Sequence, residues 1–112
     1  MVYDFPSHIR GDTWNGINSI AITSNGVPVN LEDSQIVIHI RSSKNPASPL
    51  LYEFSTTSNT ILITNPQYGI INIPTQLIDI PVGIYQYDLK IIFPNGTIKT
   101  YLKGEWEILP NT

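Results

Sequence analysis

Histidine is the first residue type to test for chemistry, and the chain has two, His8 and His39. A metal centre needs three or four converging ligands, and neither histidine has His, Asp or Glu partners at ligand spacing. Cysteine is absent, which excludes thiolate sites, a thiol nucleophile and disulfides. Glu105 and Glu107 flank Trp106, with Asp88 upstream. A glycosidase holds two carboxyls across a cleft, roughly 5–10 Å apart. These carboxylates instead have Lys90, Lys99 and Lys103 as cross-strand counterparts, the pattern of a solvated strand face. Serine, histidine and aspartate occur without a Gly-x-Ser-x-Gly turn, and no phosphate loop or dinucleotide fingerprint is present. The expectation is a protein with no catalytic, metal or cofactor residues, hence not an enzyme.

Two short motifs have structural explanations. Arg10-Gly11-Asp12 matches an integrin-binding tripeptide, but Gly11 is expected to supply a bend and Asp12 to cap backbone N–H groups ahead of a strand. Asn95-Gly96-Thr97 matches a glycosylation sequon and also a hairpin turn, and the turn explains it better. Trp14 and Tyr101 are the aromatics least claimed by a core pattern. They are expected to be exposed, and together in a groove they would form a glycan-stacking platform.

Period-2 alternation sets the elements. Ile36, Ile38 and Ile40 share one face, with Val37, His39 and Arg41 on the other. Tyr85, Tyr87, Leu89, Ile91 and Phe93 oppose Gln86, Asp88 and Lys90. Nineteen isoleucines against two alanines favour strands over helices. Two Asn-Gly pairs predict type I′ hairpin turns. Asn25-Gly26 joins Ile17–Thr23 to Val27–Leu31, and Asn95-Gly96 joins Ile84–Phe93 to Thr97–Leu109. A two-residue loop at the second places Phe93 opposite Ile98, Leu89 opposite Leu102, Tyr87 opposite Gly104 and Tyr85 opposite Trp106. A one-residue slip opposes Ile91 to Lys99, and is disfavoured because it sets charge against the apolar face. Thr75–Ile80, bounded by Pro74 and Pro81, is expected to form one short helical turn. Ser42–Pro49 reads as a loop. The fold class is therefore all-β, short antiparallel strands closing as a β-sandwich or a barrel. Its core holds Tyr85, Leu89, Ile91, Phe93, Leu102, Trp106 and the Ile36/Ile38/Ile40 row.

With 112 residues the chain reads as one domain, 1–112, with 1–8 as an N-terminal arm. Charged residues make up 13% and the net charge is −3, with no basic stripe, so no nucleic-acid partner is expected. No apolar run approaches membrane-spanning length, and none at the start has the form of a signal peptide, so no membrane partner is expected.

Four pieces, in order, carry a resemblance. They are Arg10–Trp14, then Asn25-Gly26-Val27-Pro28-Val29-Asn30-Leu31, then Gly83–Leu89, then Asn95-Gly96 with Gly104-Glu105-Trp106-Glu107-Ile108. The series resembles the small immunoglobulin-like β-sandwich domains of tailed-bacteriophage virion proteins, and is similar to the N-terminal domain of phage upper baseplate proteins. The resemblance implies an immunoglobulin-like antiparallel β-sandwich of seven to eight strands, and a non-enzymatic virion component made in the host cytoplasm. Such a component acts through contacts with other virion proteins as a capsid decoration, fibre anchor or tail adaptor, and as a homo-oligomer. The alternative is a carbohydrate-binding or adhesion module with the same fold and a glycan partner. A low-charge surface leaves strand edges free to pair. The candidate interaction edges are Tyr3, Phe5 and Ile9 on one side and Ile61 and Ile63 on the other.

Overall fold

Isoleucine-rich alternation becomes sheet wherever one face can be buried. The computed structural model describes residues 4–42, 50–78 and 80–110. Among these residues there are twelve strands: β1 (His8–Ile9), β2 (Thr13–Trp14), β3 (Ile17–Ala21), β4 (Thr23–Ser24), β5 (Val27–Pro28), β6 (Gln35–Arg41), β7 (Leu50–Ser55), β8 (Leu62–Asn65), β9 (Ile70–Ile73), β10 (Gln76–Leu77), β11 (Gly83–Ile92) and β12 (Ile98–Leu109). A five-stranded sheet runs β1-β12-β11-β6-β7, and a three-stranded sheet runs β3-β9-β8. Two short pairs, β10-β2 and β4-β5, complete the set. Pairing is antiparallel apart from β1, which lies parallel to β12 with His8 beside Ile108. The fold is the expected all-β sandwich.

The inner rows of the large sheet match the alternation. Leu102, Leu89, Ile38 and Phe54 lie abreast across β12, β11, β6 and β7, all buried. They pack against Ile20, Ile71 and Ile73 of the small sheet in one core. Each fully buried side chain of this size contributes about 1.5–3 kcal/mol. Tyr85 is buried at the start of β11, and its hydroxyl donates to the Pro81 carbonyl four residues upstream. This arrangement matches the tyrosine corner of immunoglobulin-like sandwiches.

Three expectations are corrected. The helical turn expected over Thr75–Ile80 is replaced by a strand: Gln76 and Leu77 form β10 against Thr13 and Trp14, Asp79 lies outside the described residues, and the single 3₁₀ turn among the described residues is Pro66–Tyr68. Residues 4–8, expected as an arm, run along β12. Phe5 N–H donates to the Glu105 carbonyl, Glu105 N–H to Asp4 Oδ1, and the Trp106 indole to the Pro6 carbonyl. Residues 1–3 lie outside the described residues, as does most of the expected loop, 43–49.

The third correction concerns the β11–β12 hairpin. Phe93 N–H donates to Thr97 O at 2.8 Å and Gly96 N–H to Phe93 O at 2.9 Å. Only Gly96 of the loop has positive φ, +87°. The loop is thus Pro94-Asn95-Gly96, a type I turn closed by a left-handed glycine, because Pro94 holds the φ that type I requires at its second position. This loop sets the disfavoured register near the turn, with Ile91 opposite Lys99. A bulge at Tyr101 then restores the expected one, with Leu89 opposite Leu102, Tyr87 opposite Gly104 and Tyr85 opposite Trp106. Phe93 is consequently half-buried rather than in the core, edge-on to Tyr101 at 6.4 Å. The Asn25-Gly26 turn is type I′ as expected: both residues have positive φ, and Ser24 pairs with Val27.

Burial raises the phenol pKa of Tyr52 above its ordinary 10.0, and that of Tyr85 likewise, with the charge of Arg10 pulling Tyr85 the other way. A raised phenol favours the neutral form in the folded state. The stability it supplies is complete below pH 10.0 and is lost as pH rises through the folded value. Thermal melts from about pH 8 to pH 11 are expected to show a falling midpoint only above about pH 10, with a smaller fall in Tyr52→Phe.

Candidate functional site

The residues proposed as exposed aromatics do not come together. Trp14 is buried, at 5% exposure, with ring centroids 4.8 Å from Trp106, 5.5 Å from Phe54 and 5.8 Å from Phe5. A two-residue strand shows no alternation, so its sequence could not indicate which way Trp14 faces. Tyr101 is half-buried against Phe93, where the bulge turns it. The glycan platform expected from these two residues is therefore not formed.

The expected interaction edges fare in the same way. Phe5 is buried and stacks on Tyr87 at 4.1 Å, and Ile61 is buried at 1% exposure. Ile63 is half-buried in the core and Ile9 is exposed on a two-residue strand. Tyr3 lies outside the described residues. The edge strands themselves are blunted. Bulges interrupt β3 between Ile17 and Ile20 and β8 between Ile63 and Asn65. On β7 one bulge lies at Leu51, and Ser55 is capped by its own loop. Ser55 N–H donates to Thr60 Oγ1 at 2.7 Å, and its carbonyl accepts the N–H groups of Thr60 and Ile61. Short, bulged or covered edges are how sheets resist pairing with other strands.

The Arg10-Gly11-Asp12 segment is a bend, as expected, with Gly11 at φ +85°. Asp12 is engaged through its main chain rather than its carboxylate: its carbonyl accepts from His8 Nε2 at 2.9 Å and its N–H donates to the Ile9 carbonyl at 3.2 Å. An open depression of about 440 Å³ is lined by Leu31, Glu32, Asp33, Ile63 and Pro66. Among the described residues, no group of three or more His, Cys, Asp and Glu could hold a metal, and no helix is long and apolar enough to cross a membrane.

What the fold does assemble is the outer face of the large sheet. Directly paired residues share a face, so the register reads the rows. Lys103, Asp88, His39 and Glu53 lie abreast across β12, β11, β6 and β7. Glu105, Gln86 and Arg41 form the next row, and Lys90 sits opposite Val37 beyond the first. None of these side chains is buried. His39 Nε2 is 3.1 Å from Glu53 Oε2, Lys90 Nζ is 3.9 Å from Asp88 Oδ2, and Gln86 donates to Glu105 at 3.4 Å. His39 Nδ1 and Asp88 Oδ1, on facing residues, are buried atoms with no hydrogen-bond partner. The small sheet is the opposite case, since β3, β8 and β9 contain no charged residue. The sequence placed Asp88, Glu105, Glu107, Lys90, Lys99 and Lys103 on a solvated face and His39 outward on its strand; Lys99 is the exception, since it pairs with the buried Ile91 rather than with a carboxylate. The sequence missed Glu53 because the β6–β7 register crosses a connection whose length does not set the pairing.

No family model matches the chain, and no curated protein matches it. Among solved structures the chain is similar to CopC from Methylosinus trichosporium OB3b, at 15% identity over 90% of this chain and 97% of that one, with a TM-score of 0.44. A likeness of that size transfers no function. These findings correct the expectation of a tailed-phage virion component. No family model and no curated protein supports that role, and the place in capsid, fibre, tail or baseplate is withdrawn.

Proposed function

We propose that the protein is a non-catalytic docking module that binds another protein through the outer face of its five-stranded sheet. The observation that supports this reading is the distribution of charge. The open face of β6, β7, β11 and β12 carries Arg41, Lys90 and Lys103 interleaved with Glu53, Asp88 and Glu105, while the strands of the small sheet carry none. Interleaved charges of both signs set the orientation and specificity of a protein partner. They are unsuited to a phosphate backbone, which calls for a surface of one sign. The blunted strand edges leave the face, rather than the edge, as the surface for contact.

Lysine labelling tests the reading, because Lys90 and Lys103 lie on the face and Lys99 lies near the hairpin end, opposite Ile91. The protein in a native extract of its source is compared with the purified protein at high dilution. Several-fold slower labelling of Lys90 and Lys103 in the extract, with Lys99 unchanged, is the expected result. Equal labelling of all three lysines in both samples would overturn the reading.

A further inference from the structure

The order of charges along one row identifies a partner. Across the sheet the row reads Lys103, Asp88, His39, Glu53. We infer that the partner is a second copy of this chain, stacked face to face about a two-fold axis parallel to the strands and midway between β6 and β11. The inference rests on the reading of this face as a docking surface. A two-fold in that position reverses the order of each row. It sets Lys103 over Glu53 of the second copy and Asp88 over His39, each contact made twice. In the next row it sets Gln86 over Arg41, and beyond that Lys90 over Val37. No like charges meet. An in-plane axis perpendicular to the strands and through the row does the reverse, placing Lys103 on Lys103 and Asp88 on Asp88. Charge complementarity therefore selects one of the two symmetric arrangements.

The pairing also concerns the two groups left over in the single chain. His39 Nδ1 and Asp88 Oδ1 lack partners and belong to the two residues flanking the axis, so a side-chain rotation on stacking brings each toward its complement in the second copy. Four strands about 4.8 Å apart and some seven residues long give a face of about 20 by 25 Å. That is the size of a weak, reversible interface rather than an obligate one. Stacked sheets are expected to cross at about 30°, as sheets do when each is twisted.

The test is sedimentation equilibrium on the full chain from about 1 μM to 1 mM, where weak interfaces of this size associate. Wild type is expected to dimerise, and less so at high salt. Glu53→Lys and Lys103→Glu, both at exposed positions, are each expected to weaken dimerisation at least about tenfold, because each sets like charges together twice. The double variant Glu53→Lys/Lys103→Glu exchanges the charges and is expected to return to within about threefold of wild type. Far-UV circular dichroism confirms that each variant is folded. A wild type that stays monomeric, or a double variant as weak as the singles, overturns the inference. A monomer whose Lys90 and Lys103 are still shielded in the native extract refutes self-pairing alone. A monomer without that shielding refutes the docking face as well.

Discussion

Trp106→Ala is expected to cost about 3–5 kcal/mol, the largest effect of any single truncation in this chain. Trp106 has no exposed surface and is the largest of the fully buried side chains. Its ring packs against Trp14 at 4.8 Å, Phe5 edge-on at 5.6 Å and Phe54 at 6.1 Å. It is therefore the common neighbour of three aromatics drawn from separate parts of the chain. Its indole N–H also donates to the Pro6 carbonyl at 3.0 Å, which ties the N-terminal segment to β12. Removing the ring opens a cavity, orphans that carbonyl and frees the segment carrying Phe5. A domain of this size is stable by about 5–15 kcal/mol, so the variant sits near the unfolding threshold at ordinary temperature. Urea unfolding followed by circular dichroism measures the loss. Trp106→Phe, which keeps most of the volume and loses the hydrogen bond, is expected to lose clearly less. Equal losses in the two variants would show that the indole N–H, and not the packing, carries the effect.

Gly16→Ala is expected to cost about 2–4 kcal/mol, although alanine adds only one methyl group. Gly16 joins β2 to β3 with φ +73°, in the left-handed region that L side chains rarely adopt. A Cβ there would collide with the Ile73 carbonyl and lie 2.9 Å from the Pro74 backbone. Both neighbours are main chain and cannot swing aside. Gly26→Ala provides the control. It has a similar φ of +78° but nothing within 4 Å of the added methyl, so it is expected to cost only about 1 kcal/mol. The difference between the two midpoints in one denaturation series isolates the steric part from the conformational part. Similar losses would mean that the β2–β3 junction relaxes around the methyl.

Much of the large sheet was legible before its structure, and the hairpin shows how far that went. Alternation in Tyr85–Ile91 and Ile36–Ile40 identified the buried faces, and volume and charge matching predicted Leu89 against Leu102 and Tyr85 against Trp106. The same reasoning failed next to the turn. Asn-Gly is a strong type I′ signal, but Pro94 immediately before it fixes a backbone angle that suits type I, and the loop gained a residue. The turn and the core then demanded registers one residue apart, and the bulge at Tyr101 is where the two meet. Neither requirement alone reveals that bulge. The outer row was read in part: Asp88, Lys90 and Lys103 were placed on a solvated face, but Glu53 was not joined to them. Its alignment with His39 depends on how β7 docks on β6, a pairing that local sequence does not set.

Where alternation was missing, the sequence carried no sense of inside and outside. Trp14, Phe5 and Ile61 lie in two-residue strands or irregular stretches, and all three are buried. Thr75–Ile80 had local features of a helical turn, yet Gln76 and Leu77 pair with β2, because a neighbouring strand satisfies their backbone groups.

Period-2 patterning and β-branched composition by themselves determined that this chain forms strands, which residues of the long strands face inward, and that the fold is all-β. These are properties of neighbouring residues, whose side chains alternate across a pleated backbone whatever lies nearby. Only the tertiary structure decided that the N-terminal segment closes the core, that the strand edges are blunted, and that Lys103, Asp88, His39 and Glu53 form one row. These features depend on pairings between distant segments, and the register of such pairings follows from packing the whole core at once.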